Sequence, residues 1–318
     1  MAYLRAFGSY LPSRVVDNTE LATLVGADAD WILRGTGIRE RRFAAPEESV
    51  ASLGARAARD CLESGGLKPN DVGLVLVASG SGERCFPGPA TAIGASLGIG
   101  GVPAMDLPMA SAGSLFALAL AADLAPRYGN VLVVGSEIMS RAIRLDAASR
   151  DTAVLFGDGA GACLVSAERG TAEITDFLLR SDGEFSEALH MDQASGLHMD
   201  GRTIILQASR KLPRVIIELL ERNRCRTEDV GAFLMHQANL NLIVRVAQAL
   251  GVPEERFFRN VDRYGNTSSA SLLIAAAEWR RGLGGPLGQP VVLAAFGAGL
   301  NWGAMLVGGG TRVSAPVS

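Results

Sequence analysis

A repeat hidden in the chain restricts its fold more than any other feature. Residues 60–77 read DCLESGGLKPNDVGLVLV and residues 219–235 read LLERNRCRTEDVGAFLM. Each runs from a helical end through a polar turn to Asp-Val-Gly and then a buried apolar strand. Asp71 and Asp229 stand 158 positions apart. GNVLVVG at 129–135 is echoed by GQPVVLAAFG at 288–297. FGDGAGACLV from Phe156 is echoed by FGAGLNWGAMLV from Phe296, at an offset of 140. Asp106 and Asp262 are 156 apart, and each precedes a small-residue turn and a helix. Four pairs in one order outweigh a chance likeness between glycine-rich apolar strands, and loop insertions account for the drifting offset. The chain reads as two copies of one α/β unit.

The apolar runs are continuous rather than alternating, as expected of strands buried on both faces. Helical periodicity covers Ser49 to Glu63, Ser114 to Ala125, Leu240 to Leu250 and Thr267 to Arg281. SLFALALAADLA is apolar on nearly every side, which predicts a helix buried all round. Two α/β halves sharing a buried helix predict a five-layer α-β-α-β-α sandwich. The halves are placed at 1–168 and 169–318, and the more polar residues 170–200 are read as containing the insertion between them.

Composition narrows the function. Of 318 residues, 48% are hydrophobic and 20% charged, which suits a large core. The net charge of −3 and scattered basic residues give no footprint for nucleic acid. No uninterrupted apolar run is long enough to span a membrane, and the charged start is unlike a signal peptide. Cys61, Cys85, Cys163 and Cys225 lack metal-site spacing and read as reduced thiols of a cytoplasmic protein. Imidazole chemistry has three candidates, His190, His198 and His236.

Ser111 lies in MDLPMASAGSLFALAL, at the mouth of the apolar helix, where free backbone N–H groups and the positive helix end converge. Read alone, it suits a helix cap better than a reactive group. His236 leaves the carboxyl end of a buried strand, a site position in α/β folds. His190 and His198 fall in the polar insertion and read as surface residues. Asn266, in DRYGNTSSAS, sits in a Gly-Asn turn before another apolar helix. The repeat places Asn266 and Ser111 at equivalent strand-to-helix corners, with His236 on a neighbouring strand. Gly297-Ala298-Gly299 is either a tight turn or a place where backbone N–H groups approach a substrate oxygen.

These segments resemble the β-ketoacyl-acyl-carrier-protein synthase III family over essentially the whole length. The likeness rests on GSYLP, DWILRGTGIRERR at 30–42, FP at 86–87, SAG at 111–113, FGDGAGA at 156–162, HQANL at 236–240, YGNTSSAS at 264–271 and FGAGLNWG at 296–303. The resemblance implies a thiolase fold, a homodimer, no resident cofactor or metal, and acyl transfer from an acyl-coenzyme A thioester. Condensation with a malonyl thioester, free or on an acyl carrier protein, would follow. By position, Ser111 takes the nucleophile's place, and His236 and Asn266 the places that stabilise the enolate. The N–H groups of Ser111 and Ala298 would form the oxyanion hole. Trp31 and Arg150 match positions that hold adenine, Asn239 falls within the substrate-binding motif, and Phe86 matches a residue that closes the acyl pocket, often across the dimer interface.

The chain departs from that pattern in two ways. Serine replaces the family's nucleophilic cysteine, and a hydroxyl needs a base where a thiol ionises near ~8.5. His236 is the base at hand if it is neutral. The serine is open to three readings: a natural variant serving a starter-unit pathway such as polyketide synthesis, a replaced cysteine, or a partner subunit without turnover. Second, commonly basic rim positions are here Gly35, Asn241, Gln248 and Ala249, with Arg34 and Arg245 nearby, which weakens the case for the usual fatty-acid carrier protein. The expectation is an acyltransferase of the ketosynthase III type. Acyl transfer to a hydroxyl or amine without carbon–carbon bond formation, or non-catalytic acyl-coenzyme A binding, are the alternatives.

Overall fold

The computed structural model describes residues 1–192, 196–283 and 287–308. The second predicted half extends to 318, so its last ten residues lie outside the described ones. Nine strands form one sheet: β1 (Tyr3–Tyr10), β2 (Leu74–Ala78), β3 (Ala104–Leu107), β4 (Asn130–Ile138), β5 (Asp158–Ser166), β6 (Ala172–Ser181), β7 (Ala232–Met235), β8 (Val291–Gly297) and β9 (Asn301–Val307). Their order is β7-β8-β9-β6-β1-β5-β4-β2-β3.

Strand pairing exposes the duplication. β2 runs parallel to β4, β4 antiparallel to β5, and β5 antiparallel to β1. β7 likewise runs parallel to β8, β8 antiparallel to β9, and β9 antiparallel to β6. The repeated segments therefore match β2 with β7, β4 with β8 and β5 with β9. The two sets meet through only Tyr3–Glu173 and Leu4–Ala172, between β1 and β6. Part of the more polar 170–200 segment is β6, the counterpart of β1. Its mixed buried and half-exposed residues hide it from a search for continuous apolar runs. β3 has only a vestigial counterpart, a single parallel bridge from Phe233 to Phe257.

The helices are α1 (Val50–Ser64), α2 (Pro89–Leu97), α3 (Gly113–Tyr128), α4 (Gly201–Arg222), α5 (Leu240–Leu250) and α6 (Ser271–Leu283). α1 covers β1, β4 and β5 from outside, with α2 beside it, while α4 covers β8 and β9 and carries α5. Between the two strand sets, α3 touches β2, β4 and β5 on one side and β8 and β9 on the other. α6 touches β1, β5, β7 and β8. This gives the five layers. Alanines 117, 119, 121 and 125 of α3 and 275–277 of α6 are buried, and their small side chains let strands approach from both sides.

Arg41 fastens the wall beside the central helices. It is fully buried, and its guanidinium donates to Asn18 Oδ1 at 2.9 Å, Val16 O at 3.3 Å and Val154 O at 3.0 Å. Burial pulls its pKa down to about 10, so it stays protonated near neutrality. It locks the ribbon of Arg14–Asp17 and Glu40–Phe43 to the segment that leads into Leu155 and Phe156.

Candidate active site

Four residues after β3 ends, Ser111 takes a left-handed backbone with φ of +59°, a region that a side chain with a Cβ rarely enters. It is not the helix cap: Ala112 holds that position, with no side-chain cap bond. Ser111 is 7% exposed and faces an apolar pocket. The end of β8 presses against it. A Cβ on Gly297 would lie 2.5 Å from Ala110 O and 2.8 Å from both Ala112 N and Ser111 Cβ, so only glycine fits there.

The second corner mirrors the first. Ser268 also has a positive φ, +47°, and precedes α6 as Ser111 precedes α3. The Ser111 N–H donates to Ser268 Oγ at 3.1 Å. The two serines are 157 residues apart, within the offsets of the repeat. Ser268, rather than the expected Asn266, is thus the counterpart of Ser111. The repeat's offset drifts between segments, so sequence alone fixes the corner only to within a few residues. The bond also shows that the predicted oxyanion donor at Ser111 already has a partner. Any ligand oxygen that takes this N–H must share or displace the Ser268 hydroxyl.

Asn266 sits beside this pair in the same pocket. Its N–H donates to Leu155 O at 2.8 Å and its carbonyl accepts from Gly157 N–H at 3.1 Å, which anchors its backbone. Its Oδ1 accepts the Ser268 N–H at 2.9 Å, which leaves Nδ2 as the group available to a ligand.

His236 follows β7, and its N–H is held by Ala294 O at 2.9 Å. Its Nδ1 is hydrogen-bonded to the Ser271 hydroxyl, whose oxygen also accepts the Gln237 N–H at 3.1 Å. The Ser271 oxygen has two lone pairs, so besides accepting the Gln237 N–H it either donates to Nδ1 or accepts from it; when it donates, Nε2 carries the imidazole hydrogen. Burial lowers the His236 pKa to about 4, so the ring is neutral at ordinary pH. A neutral ring protonated at Nε2 donates a hydrogen bond. In the other tautomer Nε2 carries no hydrogen and can accept one, which is what the role of base to Ser111 requires.

Glu137, at the end of β4, was not singled out from the sequence. Its buried carboxylate accepts from Gly80 N–H at 3.0 Å, Ser81 N–H at 2.9 Å and the Ser269 hydroxyl at 2.7 Å. It ties the loop after β2 to the corner that carries Ser268. The available signal was an acidic residue inside NVLVVGSEI, an otherwise apolar strand.

Met139, Leu155, Phe156, Leu242 and Phe296 build the pocket walls, with Ile204 and Ile205 from the start of α4. Leu189, Leu197 and Met199 come from a hairpin of Leu189–Asp192 with Gly196–Met199, so the supposed insertion supplies a wall. His190 and His198 alternate onto the other face of this hairpin, their ring centroids 5.0 Å apart. No cysteine lines the pocket among the described residues.

The remaining predicted residues fall around the rim. Arg150 rests over the Trp31 indole, 5.6 Å from its centroid, so the two predicted residues stack on each other. Asn239 lines the pocket, but its Oδ1 caps α5 through Asn241 N–H at 2.8 Å and its Nδ2 donates to Gly35 O at 3.1 Å. Ala298 lies just past the pocket residue Gly297, and its carbonyl accepts from Asn301 Nδ2 at 2.6 Å. Phe86 is not brought to the pocket at all: it stands 86% exposed.

Duplicated strand sets, central helices and a polar cluster where the two helices begin define a thiolase-fold protein. Residues 105–183 match the family model for 3-oxoacyl-[acyl-carrier-protein] synthase III, and residues 220–308 match the model for its C-terminal part. A β-ketoacyl-[acyl-carrier-protein] synthase III of Oleidesulfovibrio alaskensis is 38% identical, over 96% of this chain and 98% of the relative. The enzyme of the same name from Brucella suis is 40% identical, with the same coverage. The crystal structure of the Aquifex aeolicus enzyme superposes with a TM-score of 0.93 at 34% identity, covering 97% of this chain and all of the other. The priming β-ketosynthase of the R1128 polyketide pathway gives 0.90 at 35% identity, over 97% and 96%. The chain belongs to the β-ketoacyl-[acyl-carrier-protein] synthase III family.

Proposed function

We propose that this chain is an acyl-coenzyme A-dependent acyltransferase of the ketosynthase III type, acylated on Ser111 and condensing that acyl group with a malonyl thioester. One observation carries the reading: a left-handed serine, a neutral histidine and an oriented asparagine converge in one apolar pocket. Ser111 Oγ attacks the thioester carbonyl, coenzyme A leaves as its thiol with the serine proton, and an ester remains. The N–H groups of Ser111 and Ala298 hold the tetrahedral oxygen. The malonyl group then loses carbon dioxide, and His236 Nε2–H and Asn266 Nδ2 donate to the enolate oxygen. The enolate carbon attacks the ester, and Ser111 leaves and regains a proton. Trp31 and Arg150 hold the adenine, Asn239 borders the path to Ser111, and Phe86 reaches the pocket of a second copy in a cytoplasmic homodimer. The test is intact-mass analysis against a panel of acyl-coenzyme A donors, together with carbon dioxide release from malonyl-coenzyme A. If no donor adds mass at Ser111, the proposal fails.

The rim favours a second reading of the acceptor. Asn241 Nδ2 donates to Gly35 O at 2.9 Å, and Gln248 and Ala249 are exposed, so these positions offer an acidic carrier protein no cation. Acyl transfer to a small hydroxyl or amine acceptor agrees with that rim and with an ester intermediate. Turnover without carbon dioxide release marks this reading; carbon dioxide released in step with product excludes it.

A further inference from the structure

The geometry points to Ser268 as the residue that sets the nucleophile and Asn266 in register and adds a hydroxyl donor to the oxyanion site. Three observations support this. First, Ser268 contacts both partners: its Oγ accepts the Ser111 N–H at 3.1 Å and its N–H donates to Asn266 Oδ1 at 2.9 Å. Second, its side chain is buried at the pocket, and among the described residues its own hydroxyl proton has no acceptor. An oxygen that accepts from Ser111 must turn that proton elsewhere, and a substrate carbonyl seated at the Ser111 N–H lies within its swing. Third, its φ of +47° favours glycine, yet the residue there carries a hydroxymethyl group. Before acylation the hydroxyl holds the Ser111 N–H in place. Once the carbonyl oxygen arrives, the N–H turns to it and the hydroxyl donates to it as well. The donor then forms no net new bond in the empty pocket and acts only when negative charge develops.

The inference rests on reading Ser111 as the acylated residue, so its test avoids coenzyme A. In a Ser111→Cys background, the rate of acylation by p-nitrophenyl butyrate is compared with and without Ser268→Gly, and with Ser268→Ala as a second variant. Glycine suits the left-handed backbone, so thermal unfolding should be unchanged or improved while acylation slows about 10–100-fold at an unchanged saturation constant. The loss should persist above the pH at which the thiol is fully ionised. Rates within twofold of the background overturn the proposal. So does a deficit that disappears at high pH, since Ser268 would then merely tune the thiol. A protein that reacts with the ester but with no acyl-coenzyme A rejects the coenzyme A reading while the Ser268 comparison still stands decided.

Discussion

Oxygen at position 111 places the burden of the first step on the protein around it. A thiol at the mouth of α3 would ionise readily, whereas a hydroxyl must lose its proton during attack. With its hydrogen on Nε2, His236 does not accept that proton. Ser111→Cys should therefore raise the acylation rate about 100-fold, near the low end of what a positioned base contributes, as read by intact mass against time. His236 also makes a prediction about pH. Its folded pKa lies near 4, against 6.5 when free. Between those values the unfolded chain binds a proton that the folded chain refuses. Stability contributed by the neutral ring is thus complete above pH 6.5 and falls as pH drops towards 4, by up to about 1.4 kcal/mol per unit. Denaturant titrations across that window should show the slope in the wild type and a shallower one in His236→Gln. Ser271→Ala should release the tautomer. The Nε2 hydrogen, followed by nitrogen NMR of the ring, would then move towards an even distribution, and activity would fall.

At the scale of elements, the close approach of β8 to the start of α3 sets a strict limit. Gly297→Ala drives a methyl group into Ala110 O, Ala112 N and the Ser111 Cβ, and should cost about 1–3 kcal/mol and most acylation. Chemical denaturation and intact mass report the two losses separately. Much at this scale was legible in the sequence: β2 with β7, β4 with β8 and β5 with β9 were paired by their residues, because doubly buried strands write long apolar runs. β6 was not, because it is only partly covered and its pattern is mixed. The pocket hairpin escaped for a similar reason. Its strands are four residues each, and only one face turns inward. Ser111 and Asn266 stood out as polar residues before apolar helices, and His236 as one leaving a buried strand. Their hydrogen-bond partners Ser268 and Ser271 were not legible, nor was Glu137 behind Ser269, since only tertiary contact shows which hydroxyl meets which ring, amide or carboxylate. The left-handed backbone at Ser111 leaves no mark in its neighbours, so a cap looked the better local reading.

Across the whole molecule, the sheet ends at β3, where Met105 is exposed, and Phe86 stands out nearby. These features agree with the proposed homodimer. Phe86→Ser should shift the sedimentation coefficient towards a monomer, and an unchanged value would detach Phe86 from any interface. β3 is also bound to the loop that carries Phe86: the Asp106 carboxylate accepts the Ala90 N–H at 2.8 Å and packs where a Cβ on Gly88 would sit, 2.4 Å from its carboxyl carbon. From Asp106 the chain reaches Ser111 in five residues. In the proposed homodimer, whatever grips this edge would also fix where Ser111 stands, and self-association and acyl occupancy would be thermodynamically linked. A saturating acyl ligand would then tighten self-association by the factor through which self-association tightens acyl binding. Activity per molecule would rise on concentrating the protein and fall on dilution, before any subunit unfolds.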